Sequence, residues 1–300
     1  MSDPAIELRS CSYTYDGLVP ALRDVSCSIE AGSWVALIGE NGSGKSTLGK
    51  LCNGLLRPQH GRVRIMGENI QDRSVGEVAR QVGYLFQNPD HQIFASAVRD
   101  EITFDLRKLG LPRSEVERRV EEVLAQFDLT AYADRPPAVL GYGLRRQVTL
   151  ASVLARRPSI LILDEPTTGL DWETSHALLD HVCRQHGSGS TVLVITHDMR
   201  LVAERTTRVL MLHRGTLVAD GPTRELLAQP EVLASASISP LPVTRLSQEL
   251  RPWGMKGQSL TIDEFYREYM ALLAERLADG LSGRAGHAPS GPVSDGGSLD

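Results

Sequence analysis

Lysine is nearly missing from this 300-residue chain: of 32 basic residues only Lys45, Lys50, Lys108 and Lys256 are lysines. Against 37 acidic residues the net charge is −5, so charge gives no case for nucleic acid as a partner. The arginine bias fits genome composition and carries no mechanism. Long apolar runs are missing too; none approaches the roughly 20 residues that span a bilayer. The start, Met-Ser-Asp-Pro-Ala-Ile-Glu, lacks the basic and apolar regions of a signal peptide. A cytosolic chain is expected, or one held at a membrane by another protein. Cysteine is scarce and scattered: Cys11, Cys27, Cys52 and Cys183 have no paired spacing and read as small core hydrophobes. His176, His181, Cys183 and His186 look like a metal cluster only on paper. On a helix His181 points nearly opposite to His176 and Cys183, so the ligands do not converge.

What is present begins with an octapeptide. Gly39-Glu40-Asn41-Gly42-Ser43-Gly44-Lys45-Ser46 matches the phosphate-binding loop G-x-x-x-x-G-K-[ST], whose backbone N–H groups wrap nucleotide phosphates. The apolar run Trp34 to Ile38 suits a buried strand before it, and Thr47 to Cys52 can continue as a helix after it. A helix start adds unpaired N–H donors and a positive dipole end, both suited to phosphate. Lys45 is placed to reach the β- and γ-phosphates, and the Ser46 hydroxyl to meet Mg²⁺. The expected cofactors are ATP and Mg²⁺.

The rest of the chain orders itself around that loop. Residues 6–15 and 24–30 alternate, as half-buried antiparallel strands do, and Val63 and Ile65 suggest another. Val82 to Phe86 is a short apolar run. From about 97 to 134 the spacing is helical, with Val116, Val120, Val123, Leu124 and Phe127 on one face. Three further apolar runs, Ile160 to Leu163, Val192 to Ile195 and Val209 to Leu212, each follow a helix-compatible stretch. That alternation predicts a parallel sheet covered on both faces. The run at 160 ends in Asp164 and Glu165, at the strand edge where open α/β sheets bind ligands. Asp164 is expected to hold Mg²⁺, and Glu165 to polarise a water for attack on the γ-phosphate.

Five spaced motifs together make a resemblance. The chain resembles the ATPase subunit of an ABC transporter, of the energy-coupling-factor type that serves cobalt, nickel and vitamin importers. Asp164-Glu-Pro-Thr-Thr-Gly-Leu-Asp171 resembles the second acidic motif running into the D-loop, and Val194-Ile-Thr-His197-Asp the switch histidine. Phe86-Gln87-Asn-Pro-Asp-His-Gln92 resembles the glutamine loop of the coupling-factor branch, and Cys11-Ser-Tyr-Thr-Tyr15 the adenine-stacking loop.

The likeness covers about residues 6 to 278. It implies a P-loop NTPase of ABC type, α/β, with a parallel-sheet core, an antiparallel β subdomain and an inserted helical subdomain at about 88–147. A small C-terminal helical domain at 223–279 would follow the ATPase domain at 1–222. It further implies that Tyr15 stacks on adenine, Thr47 joins the nucleotide site, and Gln87 contacts Mg²⁺ and the attacking water. Within the same frame His197 would orient that water and sense the γ-phosphate, while Asp171 would shape an interface between two ATPase subunits. The implied partners are a transmembrane coupling subunit, a separate substrate-binding membrane subunit and a second ABC ATPase, at the cytoplasmic face of the cell membrane.

One motif departs from the pattern. Where the family signature reads Leu-Ser-Gly-Gly-Gln, this chain has Leu140-Gly141-Tyr142-Gly143-Leu144. The serine hydroxyl is gone, Tyr142 puts a ring where close backbone approach is needed, and Leu144 replaces an amide. A lost hydrogen bond to a charged group costs on the order of 1.5–3 kcal/mol. A heterodimer with a paralogue carrying an intact signature is therefore favoured over a homodimer. A regulatory, non-hydrolysing ABC subunit and a soluble ABC ATPase are the other readings. Beyond Gly221, Pro222 to Gln229 reads as the last core helix, and Leu241 to Leu250 and Thr261 to Leu277 as two more. The last carries an apolar stripe (Ile262, Phe265, Tyr269, Leu273, Leu277) that suits either core packing or a dimer contact. Residues 280–300 are rich in Gly, Ser and Pro and expected to be disordered.

Overall fold

The computed structural model describes residues 3–17 and 19–284. The chain divides into two compact units, Met1–Ser239 and Pro240–Asp300.

The first unit carries two sheets. Strands β1 (Ile6–Thr14), β2 (Pro20–Ile29), β4 (His60–Ile65) and β5 (Glu68–Asn69) make an antiparallel sheet in the order β2-β1-β4-β5. Register is set by its apolar face: Ile6 lies opposite both Ile29 and Ile65, and all three are fully buried. The second sheet has the order β10-β9-β3-β8-β7-β6, with β3 (Trp34–Ile38), β6 (Val82–Leu85), β7 (Ile160–Asp164), β8 (Thr191–Ile195), β9 (Arg208–His213) and β10 (Thr216–Pro222). All its pairings are parallel except β9 with β10. β3, β6, β7 and β8 are buried at every position, which is why they read as unbroken apolar runs.

Helices cover this sheet. α1 (Lys45–Cys52) follows β3, and α2 (Val75–Gln81) precedes β6 with a capping box between Ser74 and Glu77. Between β6 and β7 come α3 (Val98–Arg107), α4 (Arg113–Gln126) and α5 (Tyr142–Ala155), which pack on one another as the inserted helical part. The expected face of α4 is buried at Val116, Val120, Val123 and Leu124, and Phe127 behind it is buried as well. α6 (Trp172–Gly187) and α7 (Met199–Arg205) complete the crossovers. α8 (Thr223–Leu227) and α9 (Pro230–Ser235) belong to the first unit, which runs past the expected boundary at 222. The reason is local: Thr223 donates its N–H to Thr207 O at 3.0 Å, and its hydroxyl meets that of Thr206 at 3.1 Å.

The second unit holds α10 (Pro242–Glu249) and α11 (Ile262–Arg284). Thr244 and Ser247 on α10 are buried against Ser259, with Thr244 Oγ1 donating to Ser259 O at 2.8 Å. Thr261 caps α11 by accepting from Glu264 N at 3.2 Å; the Glu264 carboxylate reaches back to Leu260 N, one residue earlier than a capping box requires. The apolar stripe is largely open, with Ile262 and Tyr269 exposed; the side chain of Leu277 lies outside the described residues. α11 runs to Arg284, into the stretch expected to be disordered, and residues 285–300 lie outside the described residues.

Candidate functional site

Four parallel strands end on the same edge of the second sheet, and each hands over one part of the site. β3 leads into the phosphate loop, β6 into Gln87, β7 into Asp164 and Glu165, and β8 into His197. A cavity of about 370 Å³ opens there, lined by Tyr15, Asn41, Lys45, Ser46, Gln87 and both carboxylates among others.

The loop's shape rests on two glycines. A Cβ on Gly39, at φ +152°, would sit 2.1 Å from the Leu212 carbonyl; on Gly44, at φ +102°, it would sit 2.3 Å from the Ala21 carbonyl. Lys45 is buried and spends its ammonium on its own loop, donating to Gly39 O at 2.8 Å and Glu40 O at 2.9 Å. Burial pulls its pKa below the ordinary lysine value, opposed by Glu165, Asp164 and Glu40. Ser43 is buried, and Thr47 meets the Tyr15 hydroxyl at 3.2 Å. Tyr15 keeps an exposed ring, with Tyr13 edge-on at 5.0 Å.

Asp164 receives two hydroxyls, from Ser46 at 3.2 Å and Tyr84 at 3.0 Å. Burial nonetheless raises its pKa, the Ser46 and Tyr84 hydrogen bonds pulling the other way. Two hard oxygen donors, the Ser46 hydroxyl and the Asp164 carboxylate, suit Mg²⁺, which takes few protein ligands beside phosphate oxygens and water. Glu165 is differently surrounded. Its Oε1 lies 2.8 Å from His197 Nδ1, and its Oε2 accepts from Thr168 and Thr196 at 3.3 Å each. Its φ of +48° is left-handed, uncommon outside glycine.

The signature stretch and Asp171 lie apart from this cavity. Gly141 caps α5 without any side-chain hydrogen bond, and a Cβ built there would meet nothing within 4 Å. The Tyr142 ring folds back on its own chain, 3.0 Å from where a Cβ on Gly169 would be, and its hydroxyl donates to Gln87 O at 3.5 Å. Asp171 caps α6, accepting from Thr174 N at 2.8 Å and Thr174 Oγ1 at 3.0 Å; these bonds lower its pKa.

The sequence profile of the ABC transporter family matches residues 22–168. The energy-coupling factor transporter ATP-binding protein EcfA of Methanothermobacter thermautotrophicus is 40% identical over 272 residues, covering 89% of this chain and 87% of that one. The chain belongs to the ABC transporter ATPase family, in its energy-coupling-factor branch. It carries an ATPase domain. Among solved structures this ABC ATPase is similar to cbiO1 from Clostridium perfringens, part of the ABC transporter complex cbiONQ, with TM-score 0.69 and 29% identity over 83% of this chain and 99% of that one. It is also similar to the dimeric ATP-binding cassette MJ0796 bound to ADP and Pi, with TM-score 0.67 and 26% identity over 73% and 99%. Other relatives are longer: the chain spans 41% of one from Methanosarcina acetivorans at 39% identity.

The ABC ATPase site also contains residues that motif reading passed over: Tyr84 on Asp164, Thr168 and Thr196 on Glu165, and a buried arginine, Arg146, on the main-chain carbonyls of Asp164 and Glu165. A tyrosine in an otherwise aliphatic strand and an arginine heading a buried helix run were the available signals. A larger cavity, about 720 Å³, lies elsewhere, between α4, α6 and the start of β8. It gathers no phosphate loop and no paired carboxylate, so size alone would misplace the site.

Proposed function

We propose that this chain binds MgATP on its phosphate loop and hydrolyses it at a head-to-tail dimer interface, energising an importer of the energy-coupling-factor type. The observation that carries the reading is the convergence of Lys45, Ser46, Asp164 and Glu165 on one cavity at the end of a parallel sheet. Ser46 and Asp164 would hold Mg²⁺, with Gln87 at the cavity rim; the ion supplies charge neutralisation on the phosphates when bound. Lys45 exchanges its two carbonyl contacts for phosphate oxygens. Glu165 takes the proton of the attacking water, while His197, Thr168 and Thr196 hold its carboxylate in place. The exposed Tyr15 ring receives the adenine face.

The loop from Gln87 to Phe94 is the proposed docking surface for a helix of the membrane subunit. Phe94 is 62% exposed and packs edge-on to Phe104 at 4.4 Å, an apolar anchor on the same loop as the exposed Asp90. No helix among the described residues is long and apolar enough to cross a membrane, so membrane partners would bring the chain to the cytoplasmic face. Metal ion or vitamin is the proposed class of cargo, cobalt included; a separate membrane subunit would bind it. The open Gly141 cap favours a heterodimer, in which a paralogue's intact signature completes the site on this chain's phosphate loop. It also supports the second reading, a regulatory subunit. ATP turnover of the chain alone and with its co-purifying membrane and ATPase partners decides. Hydrolysis only in the assembly supports the importer; no hydrolysis in either supports the regulatory role, and equal hydrolysis without membrane partners a soluble ATPase.

A further inference from the structure

Arg146 has the bulkiest fully buried side chain among the described residues, at 0% exposure, in the second turn of α5. Its hydrogen-bond acceptors are all main-chain carbonyls: Phe86 O, Glu165 O, and Asp164 O at 3.4 Å. No carboxylate is hydrogen-bonded to it among the described residues. A buried cation without a bonded counter-ion is expensive, so the fold has to gain something by placing it there. The three carbonyls say what. One precedes Gln87, and the other two belong to Asp164 and Glu165. Glu165 sits in the left-handed region, with its N–H held by Ile195 O at 2.8 Å. Arg146 holds the other side of that residue, its carbonyl.

We infer that Arg146 is a positioning residue for hydrolysis, clamping the Glu165 backbone so that its carboxylate faces the attacking water and tying it to the Gln87 loop. The inference rests on the reading of Glu165 as the base. α5 reaches the same loop at two further points, Tyr142 OH on Gln87 O and Arg145 Nη1 on Asp90 Oδ1 at 2.6 Å. A shift of α5 or of this loop therefore reaches Glu165 through one rigid, forked side chain. Lysine cannot replace it, because a single ammonium on a flexible stem does not span three carbonyls.

The test uses the full chain with its partner ATPase. Arg146→Met removes both donors and buried charge; Arg146→Lys keeps the charge. In each, kcat is expected to fall about 10- to 100-fold while ATP affinity changes by less than about threefold. On a Glu165→Gln background, Arg146→Met should lower the rate no further, since residues acting through one another are not additive. A kcat within about twofold of the unsubstituted chain, losses that add, or kcat and affinity falling together would each overturn the inference. If Arg146→Met does not fold, Arg146→Lys is read alone by the kcat and affinity criteria. A full rate in Glu165→Gln sinks the base assignment and this inference with it; a full rate in Arg146→Met beside a dead Glu165→Gln sinks the inference alone.

Discussion

α1 and α5 both begin at a glycine with no side-chain cap, and their surroundings could hardly differ more. At the start of α1, every neighbour is engaged: Lys45 on two carbonyls, Ser46 on Asp164, Thr47 near Tyr15. At the start of α5, Gly141 faces open space and the next side chain, Tyr142, turns away onto Gly169 and Gln87. Under the proposed function, one half of an ATP site would be complete here, and the other half would lack the hydroxyl that meets a phosphate. In a head-to-tail pair these halves serve different nucleotides, so one chain can be a competent ATPase on its loop and a poor completing surface for its partner. Completeness then becomes a property of the pair.

The strongest way to break this comparison is Glu165→Gln. Phosphate release by the paired chain should fall about 10²- to 10⁴-fold while ATP stays bound in a filter-binding assay. An unchanged rate would mean that the complete half is not where chemistry occurs. Next comes repair of the open half. A Cβ at 141 meets nothing within 4 Å, so Gly141→Ser with Tyr142→Gly should raise turnover of the chain alone by about tenfold. Brisk cooperative hydrolysis by the unmodified chain alone would show instead that the backbone donors at this helix start suffice.

A smaller effect separates docking from chemistry. Asp90→Arg with Ile93→Asp removes the ion pair to Arg145 and places a charge beside the apolar anchor. Sedimentation with membranes should be lost and ATP binding kept; retained sedimentation would take the docking role from this loop. The mildest expectation lies outside both halves. His181 on α6 is stacked on Phe127 at 3.7 Å, and burial pushes its pKa from 6.5 down to about 4. The unfolded chain therefore takes up this proton first as pH falls, and stability declines from about 6.5 to about 4. The Tm should be lower at pH 5 than at pH 7, and His181→Phe should narrow the gap; an equal gap in both proteins would exclude His181 as the source.

Much of this was legible because the sequence carries its own spacing. Parallel strands bury both faces, so β3, β6, β7 and β8 announce themselves as apolar runs. β10 does not, because an edge strand alternates with polar residues such as Thr216 and Asp220. Phosphate loop and acidic pair were visible because their chemistry needs contiguous residues. Tyr84 was not, since its partner Asp164 is 80 residues away along the chain. Arg146 hid for a related reason: its acceptors are carbonyls, and every residue has one. The left-handed φ of Glu165 leaves no mark on residue type at all. On α11 the helical period could be read, but no period says whether a surface exists to cover it, and Ile262 and Tyr269 remain exposed.

The two carbonyl contacts of the Lys45 ammonium have a kinetic consequence. A phosphate loop already closed on its own lysine is no floppy segment that a ligand must order. The conformational entropy of that ordering is lost when the chain folds, not when the nucleotide arrives. Association should then be set by diffusion into an open cleft and by the swap of two hydrogen bonds for phosphate oxygens. Stopped-flow traces should be single-phase, with an observed rate that rises linearly with ATP concentration.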